Sequence, residues 1–201
     1  MSIFATRVVN ATYSDITHFS ERCIEDFSSH GNLACSATLV VGIASGGIPL
    51  AKEVHRQLHA DGDAADYMEV RCCRPSTKSK EEGAPSKLFA LVFRLPYFLL
   101  NILRLIEHGL LASRSNSGRT IEIQGDLSTK AYKWVLIVDD AVDSGYSMSC
   151  VVDYLRENLA ATPTLLTASY VVTRNSPVYR PDFTLFNNVL VRFPWAKDAK
   201  K

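Results

Sequence analysis

The sequence predicts an α/β fold: a doubly wound, mostly parallel sheet with helices on both faces. Three observations lead there. Continuous apolar runs of strand length, Leu39–Ala44 and Trp134–Val138 above all, suit strands that are buried on both faces. Segments with apolar residues at helical spacing alternate with these runs. Each of the two clearest runs then breaks into a loop of small or acidic residues that opens a helix.

In chain order, residues 1–14 are expected to form a short strand and a turn. Ser14 is the expected N-cap of a helix over about 15–29, in which Ile16, Phe19, Cys23 and Phe27 share one face. Gly31 is expected to stop that helix. The strand Leu39–Ala44 breaks at Ser45-Gly46-Gly47, and Ile48 to His59 reads as a helix with Leu50, Val54 and Leu58 inward. Tyr67 to Cys72 reads as a second strand, followed by a polar stretch from Arg74 to Ser86 and an apolar segment from Leu88 to Ala112. Thr120–Ile123 is a short strand, and Gly125-Asp126 a turn. After Trp134–Val138 a helix is predicted over about 147–159, with Val151, Val152, Leu155 and Leu159 inward. Leu165 to Val172 is a further strand, and the tail from Phe183 to Trp195 holds one or two short ones.

The chain has 201 residues, long enough for a substantial core, and its 47% hydrophobic and 21% charged residues are ordinary globular composition. A formal net charge of +1 is not the basic excess that nucleic acid or acidic membrane calls for. The five cysteines are odd in number and form no CxxC pair, so they read as reduced, mostly buried thiols in a reducing compartment. The N-terminal residues contain no long apolar stretch, and no secretory signal is expected.

The most informative segment is VLIVDDAVDSGYS. A buried strand delivers Asp139 and Asp140 to the carboxyl edge of the sheet, where open α/β sheets bind ligands. Two adjacent carboxylates are costly there unless hydroxyls or a cation meet them, and a sugar diol or Mg²⁺ qualifies. Four residues on, Asp143-Ser144-Gly145-Tyr146-Ser147 opens a helix whose N-terminal amides suit a phosphate. The plain alternative, an acidic cap after a buried strand, fits the two aspartates alone but not the whole strand–DDxxDSG–helix pattern. The earlier Ser45-Gly46-Gly47 loop by itself is either a tight turn or an anion cradle.

VLIVDDAVDSGYSM resembles the signature by which type I phosphoribosyltransferases bind 5-phosphoribosyl-1-pyrophosphate (PRPP), with the xanthine-guanine and hypoxanthine, or purine, branch nearest in pattern. The resemblance implies the type I phosphoribosyltransferase fold and transfer of ribose 5-phosphate to a nucleobase, a 6-oxopurine first, with Mg²⁺ as cofactor and pyrophosphate as product. It implies that Asp139 and Asp140 hold the ribose hydroxyls, directly or through Mg²⁺, and that Asp143 takes part in proton transfer at the base. Ser144, Gly145, Tyr146 and Ser147 would bind the 5-phosphate, with Ser144 where Thr is commoner and Tyr146 in place of a smaller or basic residue. VVGIASGGIPLA resembles the pyrophosphate loop, which implies that role for Ser45, Gly46 and Gly47. The basic residue usual in that loop is missing, which leaves Arg71, Arg74 and Lys78 as candidates to neutralise pyrophosphate. YVVTRNSPVYRPDF and VLVRFPWAKD resemble the base-binding end of the purine branch. This implies that Arg174, where Lys is usual, meets the exocyclic oxygen, that Phe193 or Trp195 stacks on the base, and that Asp198 approaches a second Mg²⁺. Phe193 and Trp195 fit plain packing equally well, and Arg174 a surface salt bridge.

On this reading the chain is a single domain over 1–201, with hood elements at about 174–201 and an insertion at about 75–119 that the resemblance does not cover. The charges at Arg94, Arg104, Glu107 and His108 argue against a membrane span there. From Pro96 on, Phe98, Leu99, Ile102, Ile106 and Leu110 form a wide apolar helical face, suited to a lid or hood on the domain or to an oligomer or partner interface, and less well to a membrane surface. The protein is expected to be a cytoplasmic homodimer that binds PRPP and a nucleobase and no nucleic acid. Two further readings stay open: a non-catalytic PRPP-binding regulator on the same fold, and a transferase to a non-purine acceptor.

Overall fold

Strands that are apolar on both faces are stable only between two layers, and this chain builds those layers around a six-stranded sheet. The computed structural model describes residues 7–31, 37–60, 65–73, 120–123, 127 and 130–196. The elements are β1 (Val8–Asn10), α1 (Tyr13–Ser28), β2 (Thr38–Ala44), α2 (Gly47–Ala60), β3 (Ala65–Cys73), β4 (Thr120–Ile123), β5 (Trp134–Val142), α3 (Tyr146–Asn158), β6 (Thr164–Val172), β7 (Phe183–Asn187) and β8 (Leu190–Arg192). The main sheet runs β4-β3-β2-β5-β6-β7 and is parallel except for β4, which pairs antiparallel with β3. The insertion at about 75–119, the Gly125-Asp126 turn, and Cys35, Arg74, Lys78 and Asp198 lie outside the described residues.

Strand alternation sorts the core into two halves. Trp134, Leu136 and Val138 of β5 join Phe19, Cys23 and Phe27 of α1 and Leu50, Val54 and Leu58 of α2 on one face. Val135 and Ile137 join Met148, Val151, Val152 and Leu155 of α3 on the other. The sheet is therefore doubly wound, as the sequence predicts.

Several expectations need correction. The N-cap of α1 is Thr12, not Ser14: the Asp15 amide donates to Thr12 Oγ1 at 3.2 Å, and the Thr12 amide donates to Asp15 Oδ2 at 2.8 Å. This reciprocal capping box needs a side chain three residues on that reaches back to the N-cap amide: Thr12 finds it in Asp15, whereas the residue three beyond Ser14 is Thr17, whose hydroxyl donates to Tyr13 C=O at 3.3 Å. Gly31 does not cap the helix, which ends at Ser28. It packs on Trp134 instead, where an added Cβ would lie 2.5 Å from Cζ2 of the indole. Of the four described cysteines, all free thiols, only Cys23 is buried. Cys72 and Cys73 sit toward the edge of the sheet, where β4 covers β3 over four residue pairs only. Near the C-terminal end, β8 pairs in parallel with β1 in a separate two-stranded sheet, so the segment expected to form the hood is joined by an N-terminal strand. There Ala11 N–H donates to Arg192 C=O at 2.9 Å and the buried Arg192 guanidinium donates to Asn10 Oδ1 at 3.0 Å.

The connection from β6 to β7, residues 173–182, contains no helix and runs as a strap. Its far end is clipped to β6: the backbone N–H and hydroxyl of buried Thr167 both donate to Asp182 Oδ2, at 2.8 and 2.7 Å. The Asp182 amide donates back to Thr167 Oγ1 at 3.0 Å. Asp182→Ala strips two donors of a buried threonine of their acceptor, and should cost about 1–3 kcal/mol in urea unfolding. An unchanged unfolding midpoint would show that the strap is held by other means.

Candidate functional site

In the strand order β3-β2-β5-β6, the chain leaves β2 toward one edge of the sheet and β5 toward the other. The carboxyl ends of β2 and β5 therefore flank a topological switch point, where open α/β sheets form a crevice. Both loops singled out in the sequence end there.

The loop after β2 is pressed onto the end of β5. A Cβ on Gly46 would run into the Asp140 carboxylate, and one on Gly47 would lie 2.7 Å from Val138 O and 2.8 Å from Asp139 Cα. These distances admit hydrogen and nothing larger, so the two glycines are there for close approach. The Ala44–Ser45 peptide is cis, Ser45 is exposed, and α2 starts at Gly47, one residue earlier than expected.

The acidic pair lies within β5, which continues to Val142. Asp139 is buried at 8% exposure and its Oδ1 accepts from the Asp140 amide at 2.9 Å. Asp140 Oδ1 accepts from the Ala141 amide at 3.0 Å. Burial first, and the neighbouring Asp140 carboxylate second, push the Asp139 carboxyl well above the ordinary 3.8.

Beyond the strand, Gly145 takes a left-handed φ of +80° and caps α3, with no side-chain bond to the first-turn amides. A Cβ on Gly145 would lie 2.5 Å from both Tyr179 N and Tyr179 O, because the strap crosses directly over it. Val178 N–H donates to Ser144 C=O at 2.8 Å and pins the crossing. Asp139, Ala141, Val142, Asp143, Ser144, Gly145, Ser147 and Met148 enclose a cavity of about 160 Å³. Of the residues that the sequence singles out in this segment, Asp139, Asp143, Ser144, Gly145 and Ser147 line the cavity, and Asp140 and Tyr146 do not. Tyr146, 37% exposed, stands at the start of α3.

Asp143 and Arg174 form an ion pair, with Nε donating to Oδ1 at 2.6 Å and a terminal nitrogen to Oδ2 at 2.9 Å. Thr173 Oγ1 donates to the same Oδ1 at 3.0 Å. The sequence reading missed Thr173, although it directly precedes Arg174 at the end of an apolar strand. It also missed Tyr179 and the Thr167–Asp182 clip, which are contacts of backbone path and leave no spacing signal.

Of the two candidate stacking rings, Phe193 belongs to the core. It is 5% exposed, packs edge-on against Tyr170 at 5.2 Å and stacks on Trp195 at 4.9 Å and 12°. Val191 and Phe193 lie in the same core cluster, as strand alternation requires. Trp195 is the outer ring of the pair, only partly buried. A second cavity, of about 310 Å³, opens beside the glycine loop between Ala44, Ile48, Glu69, Arg71, Glu122 and Ile123. Arg71 is exposed there and sits opposite Glu122 in the β3–β4 ladder.

The sign of the Asp139 shift gives a prediction. Its folded state holds a proton that the unfolded chain gives up near 3.8, so this group's contribution falls as pH rises from there toward neutrality. Asp139→Asn should therefore unfold at higher urea than the unsubstituted protein at pH 7, and the two should converge below pH 3.8. No gain at pH 7 would mean that the buried carboxylate is already compensated.

Known proteins share this architecture. No curated protein matches the chain in sequence. Among solved structures, a purine phosphoribosyltransferase from Pyrococcus horikoshii Ot3 superposes with a TM-score of 0.57 at 18% identity, over 94% of each chain. The Helicobacter pylori xanthine-guanine-hypoxanthine phosphoribosyltransferase gives 0.57 at 15% identity, over 96% of this chain and 95% of that one. A hypoxanthine phosphoribosyltransferase from Staphylococcus aureus gives 0.54 at 10%, over 88% and 74%. These identities speak for the fold alone. The family model for the phosphoribosyl transferase domain matches residues 8–197, nearly the whole chain, and the protein belongs to the phosphoribosyltransferase family.

Proposed function

We propose that the protein transfers the ribose 5-phosphate of PRPP to a nucleobase, a 6-oxopurine first, and releases pyrophosphate. The observation that carries this reading is the seating of Gly46 and Gly47 on Asp139 and Asp140. It supports the reading because a glycine loop able to take a diphosphate and a carboxylate pair able to take a diol then lie side by side at the switch point of the sheet. The α3 N-terminus beyond Gly145, with no side chain on its cap, supplies the 5-phosphate end through Ser144 to Ser147. A single sugar phosphate with a diphosphate leaving group matches that order.

Mg²⁺ fits the acidic pair. Among the described residues no three His, Cys, Asp or Glu side chains gather as a metal cage, and this ion takes one or two carboxylates with substrate oxygens completing its shell. Asp139 and Asp140 would hold it, and a cation there offsets the cost of ionising buried Asp139. When bound, it would neutralise charge on the departing pyrophosphate. The chain's own share is placement: the glycine loop holds the leaving group, Asp143 stands ready at the acceptor's N–H, and Trp195 offers a face to the base. Of the three candidates to neutralise pyrophosphate, Arg71 is the described one, and it lines the second cavity. In the same reading the protein is a cytoplasmic homodimer. No described helix is long and apolar enough to cross a membrane.

Pyrophosphate release from PRPP and Mg²⁺ tests the proposal against hypoxanthine, guanine, xanthine, adenine, orotate and uracil. Turnover is expected with a 6-oxopurine, and a loss of about 10²–10⁴-fold in Asp143→Asn, the usual contribution of a positioned acid or base. If PRPP raises the melting temperature but no base is consumed, the protein is a PRPP-binding regulator. If orotate or uracil alone is consumed, the acceptor assignment is wrong and the transfer reaction stands.

A further inference from the structure

Asp143 and Thr173 occupy equivalent places on neighbouring strands. Val142 pairs with Val172 as the last rung of the β5–β6 ladder, and each chain continues one residue beyond it. The ladder's last hydrogen bond, Thr173 N–H to Val142 C=O at 2.9 Å, fixes the backbone of Thr173 beside Asp143. The Thr173 side chain is buried at 4% exposure, and its hydroxyl has one proton to give. Val142 C=O lies 3.5 Å from Oγ1 and Asp143 Oδ1 lies 3.0 Å from it, so the proton goes to the carboxylate.

The next residue completes the grip. Arg174 meets the carboxylate side-on, Nε on Oδ1 at 2.6 Å and a terminal nitrogen on Oδ2 at 2.9 Å. Two consecutive residues therefore deliver three donors to one carboxylate, one of them through a rigid planar fork. An aspartate has two side-chain torsions, and neither can turn without breaking at least one of these bonds. The partners are only 19% and 35% exposed, so the pair is shielded from much of the competing water.

We propose that Thr173 and Arg174 are positioning residues that act through Asp143, and that Arg174 meets this carboxylate and not the acceptor base. The inference rests on the transferase reading, in which Asp143 faces the base. Misplacing a proton acceptor by a fraction of an ångström slows the chemical step while leaving the binding of the sugar phosphate alone. Thr173 thereby gains a function that neither a packing role nor a surface salt bridge would give it.

Steady-state kinetics on four variants decide the matter. Thr173→Val keeps volume and removes the hydroxyl, and should lower kcat about tenfold with KM for PRPP unchanged. Thr173→Ser keeps the hydroxyl and should recover most of that loss. Arg174→Lys keeps the charge but not the two-point contact, and should lower kcat by a similar factor. In an Asp143→Asn background, Thr173→Val should cost almost nothing more, because residues that act as one unit are not additive. An unchanged kcat in Thr173→Val, or full additivity with Asp143→Asn, overturns the proposal, as does a rise in base KM alone for Arg174→Lys. Should Thr173→Val fail to fold, Arg174→Lys and Thr173→Ser carry the decision. If the unsubstituted protein turns over no base, the transferase reading falls and the positioning role falls with it. Turnover that Thr173→Val and Arg174→Lys leave intact sinks the positioning role alone.

Discussion

The contact on which the site depends is the approach of the β2–α2 loop to the end of β5. It is a contact between backbone and carboxylate with no room for a side chain, since a Cβ on Gly46 or Gly47 would meet Asp140 or the Val138–Asp139 backbone. Such closeness needs β2 and β5 side by side in register, and the ladder from Thr38↔Trp134 to Gly42↔Val138 supplies that. The register holds because both strands are apolar on both faces: a one-residue slip would exchange the α1–α2 layer for the α3 layer. Hydrophobic burial, which knows nothing of phosphate, thus sets the separation of the two loops.

The same edge gathers three carboxylates within five residues of sequence, and each is handled by different physics. Asp139 is buried and held toward its protonated form. Asp140 accepts the amide of Ala141. Asp143 is met by a guanidinium and a hydroxyl from the next strand. Thus Asp143 is provisioned with donors from within the protein, while buried Asp139 is left expensive to ionise. In the proposed reaction a cation or a diol lowers that expense, so substrate binding and ionisation of Asp139 would favour one another.

Much of this was legible in the sequence. Buried parallel strands write themselves as unbroken apolar runs, and Leu39–Ala44 and Trp134–Val138 lie inside β2 and β5. The inward residues of α1 and α2 followed from helical spacing in the same way. The misreadings share one cause, that a residue's partner is not its neighbour in sequence. Gly31 looked like a helix stop because glycine often is one, but its demand comes from Trp134, about a hundred residues away. Of the two readings open for Phe193, packing is the one its surroundings display, since Tyr170 of β6 lies against its edge from more than twenty residues away. Thr12 is the instructive exception. Its partner Asp15 is local, and the three-residue spacing of the capping box was there to be read.

The strap of residues 173–182 is where the fold departs furthest from what periodicity could announce, and its course follows from a constraint. A parallel crossover must carry the chain from the carboxyl end of one strand back to the amino end of the next. Here ten residues do so without a helix, and with no helix to satisfy them internally the strap's backbone groups must find partners along the way. Val178 N–H finds Ser144 C=O, the Tyr179 backbone fills the space that Gly145 leaves open, and Asp182 closes on Thr167. The phosphate-loop candidate is therefore one wall of the strap's own route. Gly145 answers two demands at once, a φ of +80° and the absence of a side chain beneath Tyr179. Because the strap starts at Thr173 and Arg174, the groups that grip Asp143 and the backbone that covers the candidate phosphate loop belong to one short, clipped segment.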